Sequence, residues 1–275
     1  MSEKRVGLVG CGTIGTHLAT AIDSNKIPGA SLVALFDVEQ ASAERLGRQL
    51  KHKPSSHNDF ASFLQSGIDL VVEAASQEAV RTFAIQSVDS GKDLMLMSVG
   101  ALADGALREE LFLKAREAGT RIYVPSGAIA GIDAIRAVKD LIQEIVLTTT
   151  KSPKSLVGAP FFEKSALKAE AISERIVIYS GKASEAVRLF PANVNVAAVL
   201  SLAGIGPDKT KVRIVADPAA TTNRHEISAK GSFGEIQIVV NNMPSPGNPK
   251  TSYLAVLSAI ECLRSICEGS VRIGS

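Results

Sequence analysis

The side chains of this 275-residue chain that could do chemistry are few: four histidines, three cysteines and some clustered amides and basic residues. His17 falls inside a helical pattern, and His52 and His57 lie in a polar stretch, so these three read as bystanders. His225 sits in Asn223-Arg224-His225-Glu226-Ile227, at the start of a strand pattern after a loop. A histidine there is often a solvated edge residue, but an imidazole with a reference pKa of about 6.5 also suits a general base near neutral pH. In Phe190-Pro191-Ala192-Asn193-Val194-Asn195, two asparagines flank a helix start. They read either as caps or as carboxamides that offer a ligand both a donor and an acceptor. Asn193, Lys250 and Thr251 are candidates for holding anionic groups of a small substrate, with Arg224 a further one if it turns inward. The bland alternative for Lys250 and Arg224 is a solvated surface charge. Cys11, Cys262 and Cys267 have no metal-ligand spacing and no nearby histidine cluster, so no metal site is expected.

The second chemical signature is Gly10-Cys11-Gly12-Thr13-Ile14-Gly15. A short apolar run, residues 5–9, precedes it, and an amphipathic helical pattern, residues 16–22, follows. In such a motif Gly10 permits a tight turn, Gly12 lets a diphosphate approach the backbone, and Gly15 lets the helix pack closely on the strand. The free N–H groups of Thr13 and Ile14 at the helix start would then face the diphosphate. Asp37 ends the next apolar run, 22 residues after Gly15, where a carboxylate accepts hydrogen bonds from an adenosine ribose. Its charge disfavours a 2′-phosphate, so NAD is expected ahead of NADP, although a nearby Arg or Lys would allow NADP. Cys11 reads as a small space-filling residue within the loop.

These residues need elements to position them. Residues 69–73, 94–98 and 121–124 read as buried strands, with helices at about 78–90 and 107–118 between them. Alternating β and α units form a doubly wound parallel sheet, whose ligands bind outside the carboxyl ends of the strands. That places Ala75, Ser76, Gly100 and Ala101 near the nicotinamide end of a bound dinucleotide. After the small-residue loop 125–131 the texture changes. A helix is expected over 132–143, then strands at 145–150, 211–217, 225–230 and 235–241, with helices at 183–190, 195–203 and 252–268. The fold class is therefore α/β: an N-terminal Rossmann domain over residues 1–130, followed by an α+β domain with a largely antiparallel sheet over 131–275. Residues 243–249, with three prolines, are expected to be an irregular loop. Periodicity alone leaves open whether the last helix packs back on the first domain or supports a dimer.

Composition narrows the partners. A formal net charge of +2 gives no reason to expect nucleic acid or a membrane surface, and no apolar run is long enough to span a bilayer. A sparse, odd cysteine count and an amino terminus without an apolar signal segment lead to the expectation of a cytoplasmic protein.

Four motifs taken together, Pro125-Ser-Gly-Ala-Ile-Ala-Gly131, Phe190-Pro-Ala-Asn-Val-Asn195, Asn223-Arg-His-Glu-Ile227 and Asn248-Pro-Lys-Thr-Ser252, resemble the L-aspartate dehydrogenases over nearly the whole chain. The resemblance implies a second domain like that of homoserine dehydrogenase and a homodimer. It implies NAD(P)-dependent conversion of L-aspartate to iminoaspartate, and then to oxaloacetate and ammonia, in NAD biosynthesis or aspartate degradation. It implies His225 as the active-site histidine, and Ala128 and Asn195 as dinucleotide contacts. The rival readings are a homoserine dehydrogenase or dihydrodipicolinate reductase type of oxidoreductase, and a non-catalytic dinucleotide sensor.

Overall fold

The computed structural model describes residues 3–191, 195–245 and 248–268. The chain forms two compact units: residues 1–125 with 256–275, and residues 126–255. The sequence reading set a single boundary after residue 130; the observed division falls at Pro125/Ser126 and is crossed a second time at residue 256.

The first unit runs β1 (Lys4–Val9), α1 (Thr13–Asp23), β2 (Ala30–Phe36), α2 (Gln40–Gln49), β3 (Ser55–His57), α3 (Phe60–Leu64), β4 (Leu70–Glu73), α4 (Gln77–Asp89), β5 (Asp93–Leu96), α5 (Gly105–Ala118) and β6 (Ile122–Tyr123). Its sheet has the order β3-β2-β1-β4-β5-β6 with parallel pairs throughout. The order reverses between β1 and β4, and that switch point is where such sheets bind ligands. Val6, Leu8, Leu35, Val72 and Met95 from the strands pack with Leu18 and Ile22 of α1 and Leu46 of α2. A ring cluster of Phe36, Phe60, Phe63 and Phe83 joins β2 to α3 and α4, with centroids 4.3–5.9 Å apart. The elements α2, β3 and α3 were not read from the sequence; Phe60 and Phe63 anchor α3 through this cluster, and Phe63 also meets the His57 ring of β3.

The last helix, α10 (Tyr253–Glu268), buries Val256, Ala259, Leu263 and Cys267, a stripe spaced as one helical face. Ala259, Leu263 and Cys267 belong to the core of the first unit, and Arg264 donates to the Lys26 carbonyl at 3.0 Å. A fully buried leucine such as Leu263 stabilises by about 1.5–3 kcal/mol relative to exposure, enough to settle where this helix lies.

The second unit contains α6 (Ile132–Ala137), β7 (Ile142–Lys151), α7 (Pro160–Glu163), β8 (Ile176–Lys182), α8 (Ala183–Leu189), α9 (Asn195–Ala203), β9 (Lys211–Ala216), β10 (Asn223–Gly231), β11 (Gly234–Asn242), β12 (Pro244–Ser245) and β13 (Asn248–Ser252). Its five-stranded sheet is ordered β11-β10-β7-β9-β8 and is antiparallel except for the β7–β9 pair. Two expectations need correction here. The helix expected over 132–143 stops at Ala137, because Ile142 and Glu144 are already paired with β10. The stretch 243–249 is not wholly irregular: β12 and β13 pair antiparallel, with Pro244 opening its strand, a position that does not need its missing N–H. Among the described residues, no helix is long and apolar enough to cross a membrane.

The Gly10–Gly15 approach yields a stability prediction. A Cβ on Gly15 would overlap the Gly10 carbonyl oxygen, whereas a Cβ on Gly12 would meet nothing within 4 Å. Gly15→Ala should lower unfolding stability by about 1–3 kcal/mol or more, and Gly12→Ala by much less, in paired urea titrations.

Candidate active site

In the first unit the chemistry-bearing residues collect at the carboxyl edge of the sheet. Gly10 leaves β1 with φ +94° and donates its N–H to the Phe36 carbonyl at 2.9 Å. Cys11 N–H then donates to Asp37 Oδ2 at 2.7 Å, and Asp37 Oδ1 accepts from Glu39 N–H at 2.9 Å. Asp37 therefore holds the shape of the loop, and each of its oxygens keeps a further acceptor lone pair. Helix α1 starts after Gly12 without a side-chain cap, in contrast to α3, α4 and α5, which Asp59, Ser76 and Asp104 cap. An uncapped first turn at Thr13 and Ile14, with open space above Gly12, fits the diphosphate of a dinucleotide. The Cys11 thiol is pushed up to about 12 by burial and by Asp37, so it is inert, in keeping with a space-filling role.

Ala75 adjoins this loop: a Cβ on Gly10 would lie 2.7 Å from the Cβ of Ala75. Ser76 is exposed and its Oγ accepts from Ala79 N–H at 3.1 Å, so its acceptor role is taken by helix capping. Gly100 is buried in a short 3₁₀ turn, Val99–Ala103. The residue that organises this edge was not singled out from the sequence. Glu73, at the end of β4, is buried and accepts from Ala75 N–H, Ser98 N–H and Ser98 Oγ at 2.8, 2.9 and 2.8 Å. It links the loop after β4 to the loop after β5. Burial raises its pKa, against those three donors.

In the second unit His225 lies on β10, between β7 and β11, and is 2% exposed. The reading of His225 as a solvated strand-edge residue is therefore excluded: the strand begins at Asn223 and is paired on both sides. Thr149 stands directly opposite on β7, and its Oγ1 lies 2.9 Å from His225 Nδ1. That bond fixes the ring and leaves Nε2 for chemistry. Burial, and then the charge of Lys151, lower the imidazole pKa to about 3, so the ring is neutral. The reference value of about 6.5 for a solvated imidazole therefore does not describe this buried ring.

Buried polar side chains surround this pair. Asn242 Nδ2 donates to the Ala128 carbonyl at 2.9 Å, tying the loop at 126–131 to β11. Asn223 Nδ2 donates to Ser252 Oγ at 3.2 Å. Lys151, at the end of β7, is 4% exposed, and burial lowers its pKa to about 8. Of the other expected site residues, Asn195 is the exposed first residue of α9, and Thr251 is half-buried on β13. Arg224 turns to Glu226 and Asn241 instead of inward. Asn193 and the side chain of Lys250 lie outside the described residues. Glu73 and Lys151 escaped the sequence reading because a charged residue ending an apolar strand gives no sign of its burial. Among the described residues, no group of His, Cys, Asp and Glu could hold a metal ion.

Comparison with known proteins adds to this geometry. A family model described as aspartate dehydrogenase, C-terminal, matches residues 133–266, and one described as homoserine dehydrogenase, NAD binding domain, matches residues 10–125. The chain is 47% identical over 272 residues to an L-aspartate dehydrogenase of Nitrosopumilus maritimus, covering 99% of this chain and 100% of that one. It is 46% identical to that of Methanosarcina barkeri, with 98% and 99% covered. The crystal structure of aspartate dehydrogenase from Thermotoga maritima superposes with a TM-score of 0.77 at 28% identity, covering 98% of this chain and 99% of that chain. A myo-inositol dehydrogenase from Lactobacillus casei, at 14% identity and a TM-score of 0.56, with 100% and 89% covered, shares the fold alone.

The lowered affinity of His225 for protons has a consequence for stability. Its folded pKa, about 3, lies below the unfolded 6.5, so in that interval the unfolded chain binds a proton that the native protein refuses. Stability is therefore retained above the unfolded value and lost as pH falls through the interval, at up to about 1.4 kcal/mol per pH unit from this residue. Paired denaturant titrations from about pH 7 down to 4 should show a steeper loss for the wild type than for His225→Gln.

Proposed function

Because the chain belongs to the L-aspartate dehydrogenase family, we propose that it oxidises L-aspartate to iminoaspartate, which water converts to oxaloacetate and ammonia, and that the same groups serve the reverse amination. The observation that carries the reading is the buried, neutral imidazole of His225, held at Nδ1 by Thr149.

The dinucleotide is NAD in this proposal, and its nicotinamide supplies the hydride acceptor. The backbone of Gly10, Gly12, Thr13, Ile14 and Gly15 receives the diphosphate, and Asp37 receives the ribose hydroxyls. Ala75, Ser76 and Gly100 border the nicotinamide end, and Ala128 and Asn195 are further contacts. The Asp37 carboxylate disfavours a 2′-phosphate. Arg45 of α2, whose charge reaches the Cys11 thiol, is the nearby group that would let NADP bind more weakly.

His225 enters as the neutral ring, the form in which a base begins its cycle. Transfer of one proton from the substrate ammonium to Nε2 frees the nitrogen lone pair, which forms the C=N bond as hydride leaves Cα. The ring then passes its proton on and takes one from the water that adds to the imine carbon. Asn193, Lys250 and Thr251 remain proposed substrate contacts.

A homodimer forms part of the proposal. The sheet face of the second unit opposite His225 bears Val177 and Val239, 59% and 52% exposed, with Val146 half-buried between them in the strand order. Valines set among charged and polar side chains, Arg213, Arg224 and Glu226 with them, form the kind of mixed surface that a second copy of the chain could cover.

Two measurements test these statements. With L-aspartate, NAD should give a higher kcat/KM than NADP, and His225→Ala should lose ~10²- to 10⁴-fold in rate while binding NAD as the wild type does. Binding without turnover in the wild type would favour a dinucleotide sensor instead. In sedimentation velocity the wild type should run as a dimer, and Val239→Lys should shift it towards monomer; a wild-type monomer at micromolar concentration would dispose of the dimer.

A further inference from the structure

Among the described residues Lys151 is the only buried lysine or arginine. It lies two positions beyond Thr149 on β7, so strand alternation puts it on the face that carries Thr149 and His225. His225 opposes Thr149 across the β7–β10 pair, and the next row of that face brings Asn223 towards Lys151. Asn223 in turn opposes Asn242 on β11. One end of the face thus carries two polar rows, Thr149 with His225 and Lys151 with Asn223 and Asn242, while the row before them, Leu147 with Ile227, is apolar. A diagonal neighbour of this kind stands about 7–8 Å away at the backbone, within reach of a long side chain. At that separation the Lys151 charge adds to burial in lowering the proton affinity of the imidazole. Beyond β11, Ser245 Oγ is buried and has no hydrogen-bond partner among the described residues.

In a low-dielectric site an ammonium attracts a carboxylate far more strongly than it does in water, so a buried lysine is well suited to an anionic substrate. L-Aspartate brings two carboxylates and therefore needs two such partners. The geometry points to Lys151 as the residue that receives one carboxylate of the amino dicarboxylate beside His225, an assignment that rests on the oxidative deamination proposed above. Besides orienting the substrate, the ion pair acts on the base. An arriving carboxylate offsets the Lys151 charge that weakens the imidazole, so His225 gains proton affinity when substrate is present. The base is then weak in the empty site and stronger in the occupied one.

The test uses Lys151→Met, which keeps length and removes charge, and Lys151→Arg, which keeps charge. Rates are measured with L-aspartate and L-asparagine, and succinate, which has no amine to oxidise, is titrated by calorimetry in the presence of NAD. Lys151→Met should raise KM for L-aspartate by ~10- to 100-fold, more than it lowers kcat, and weaken succinate by a similar factor. NAD affinity should be unchanged and thermal unfolding no lower, because a buried charge has been removed, while Lys151→Arg recovers part of the loss. If preference for L-aspartate over L-asparagine collapses, Lys151 holds the side-chain carboxylate; if both substrates weaken alike, it holds the α-carboxylate. Should Lys151→Met not fold, Lys151→Gln carries the same expectations. An unchanged KM and succinate affinity in a folded variant, with an active wild type, would overturn the assignment and leave the reaction standing. Succinate binding that depends on Lys151 in a wild type inactive on L-aspartate would do the reverse.

Discussion

The first unit depends on how closely α1 approaches the end of β1. With hydrogen in place of a side chain at Gly15, the helix can rest against the Gly10 carbonyl. Its first turn then projects from the carboxyl edge of the sheet with no side chain capping it. Once α1 is seated, the neighbouring strands are tied to the same edge by carboxylates that accept backbone N–H groups. Asp37 reaches back from β2 to Cys11, and Glu73 joins the ends of β4 and β5 through Ser98. Pre-organised donors around open space are what a negatively charged diphosphate requires, because the cost of ordering them is met when the chain folds.

The second unit solves a different problem. A sheet face is the natural place for apolar residues, and most of this one obeys that rule: Ile145, Leu147, Val212, Ile214, Ile227 and Ala229 are all buried. At one end the face turns polar with no gain in exposure. The structure tolerates that because the polar groups are bonded to one another, as with Thr149 to His225 and Asn242 to the Ala128 carbonyl. The low dielectric that makes such groups costly to bury also makes each charge there strongly felt, so burial first, and then the charge of Lys151, keeps the histidine neutral.

Much of the fold was legible because parallel strands buried on both sides announce themselves as apolar runs, and the Gly10–Gly15 turn stands at the junction of one such run with a helix. Legibility failed where local pattern and tertiary pairing disagreed. Residues 138–144 follow a helical pattern, yet β7 is flanked by partners on both sides and draws Ile142 to Glu144 into the ladder. Strand β8 was not foreseen: among the described residues it pairs only with β9, and its mixed burial leaves a weak alternation. The pairing of β12 with β13 was hidden by prolines, which remove donors without forbidding a short antiparallel contact.

The sequence by itself determined the glycine turn, the acidic residue after the second strand, most of the strands and helices that follow them, and the presence of a histidine within a strand pattern of the second half. These are local matters, set by backbone sterics and by the type and spacing of neighbours in the chain. Only the tertiary structure decided that His225 is buried and neutral, that Thr149 orients it, that Glu73 ties two strand ends together, and that Lys151 lies on the same face as the histidine. It also placed the final helix in the core of the first unit. Burial and electrostatic coupling depend on which distant segments become neighbours, and residues 149 and 225 are brought side by side only by the pairing of β7 with β10.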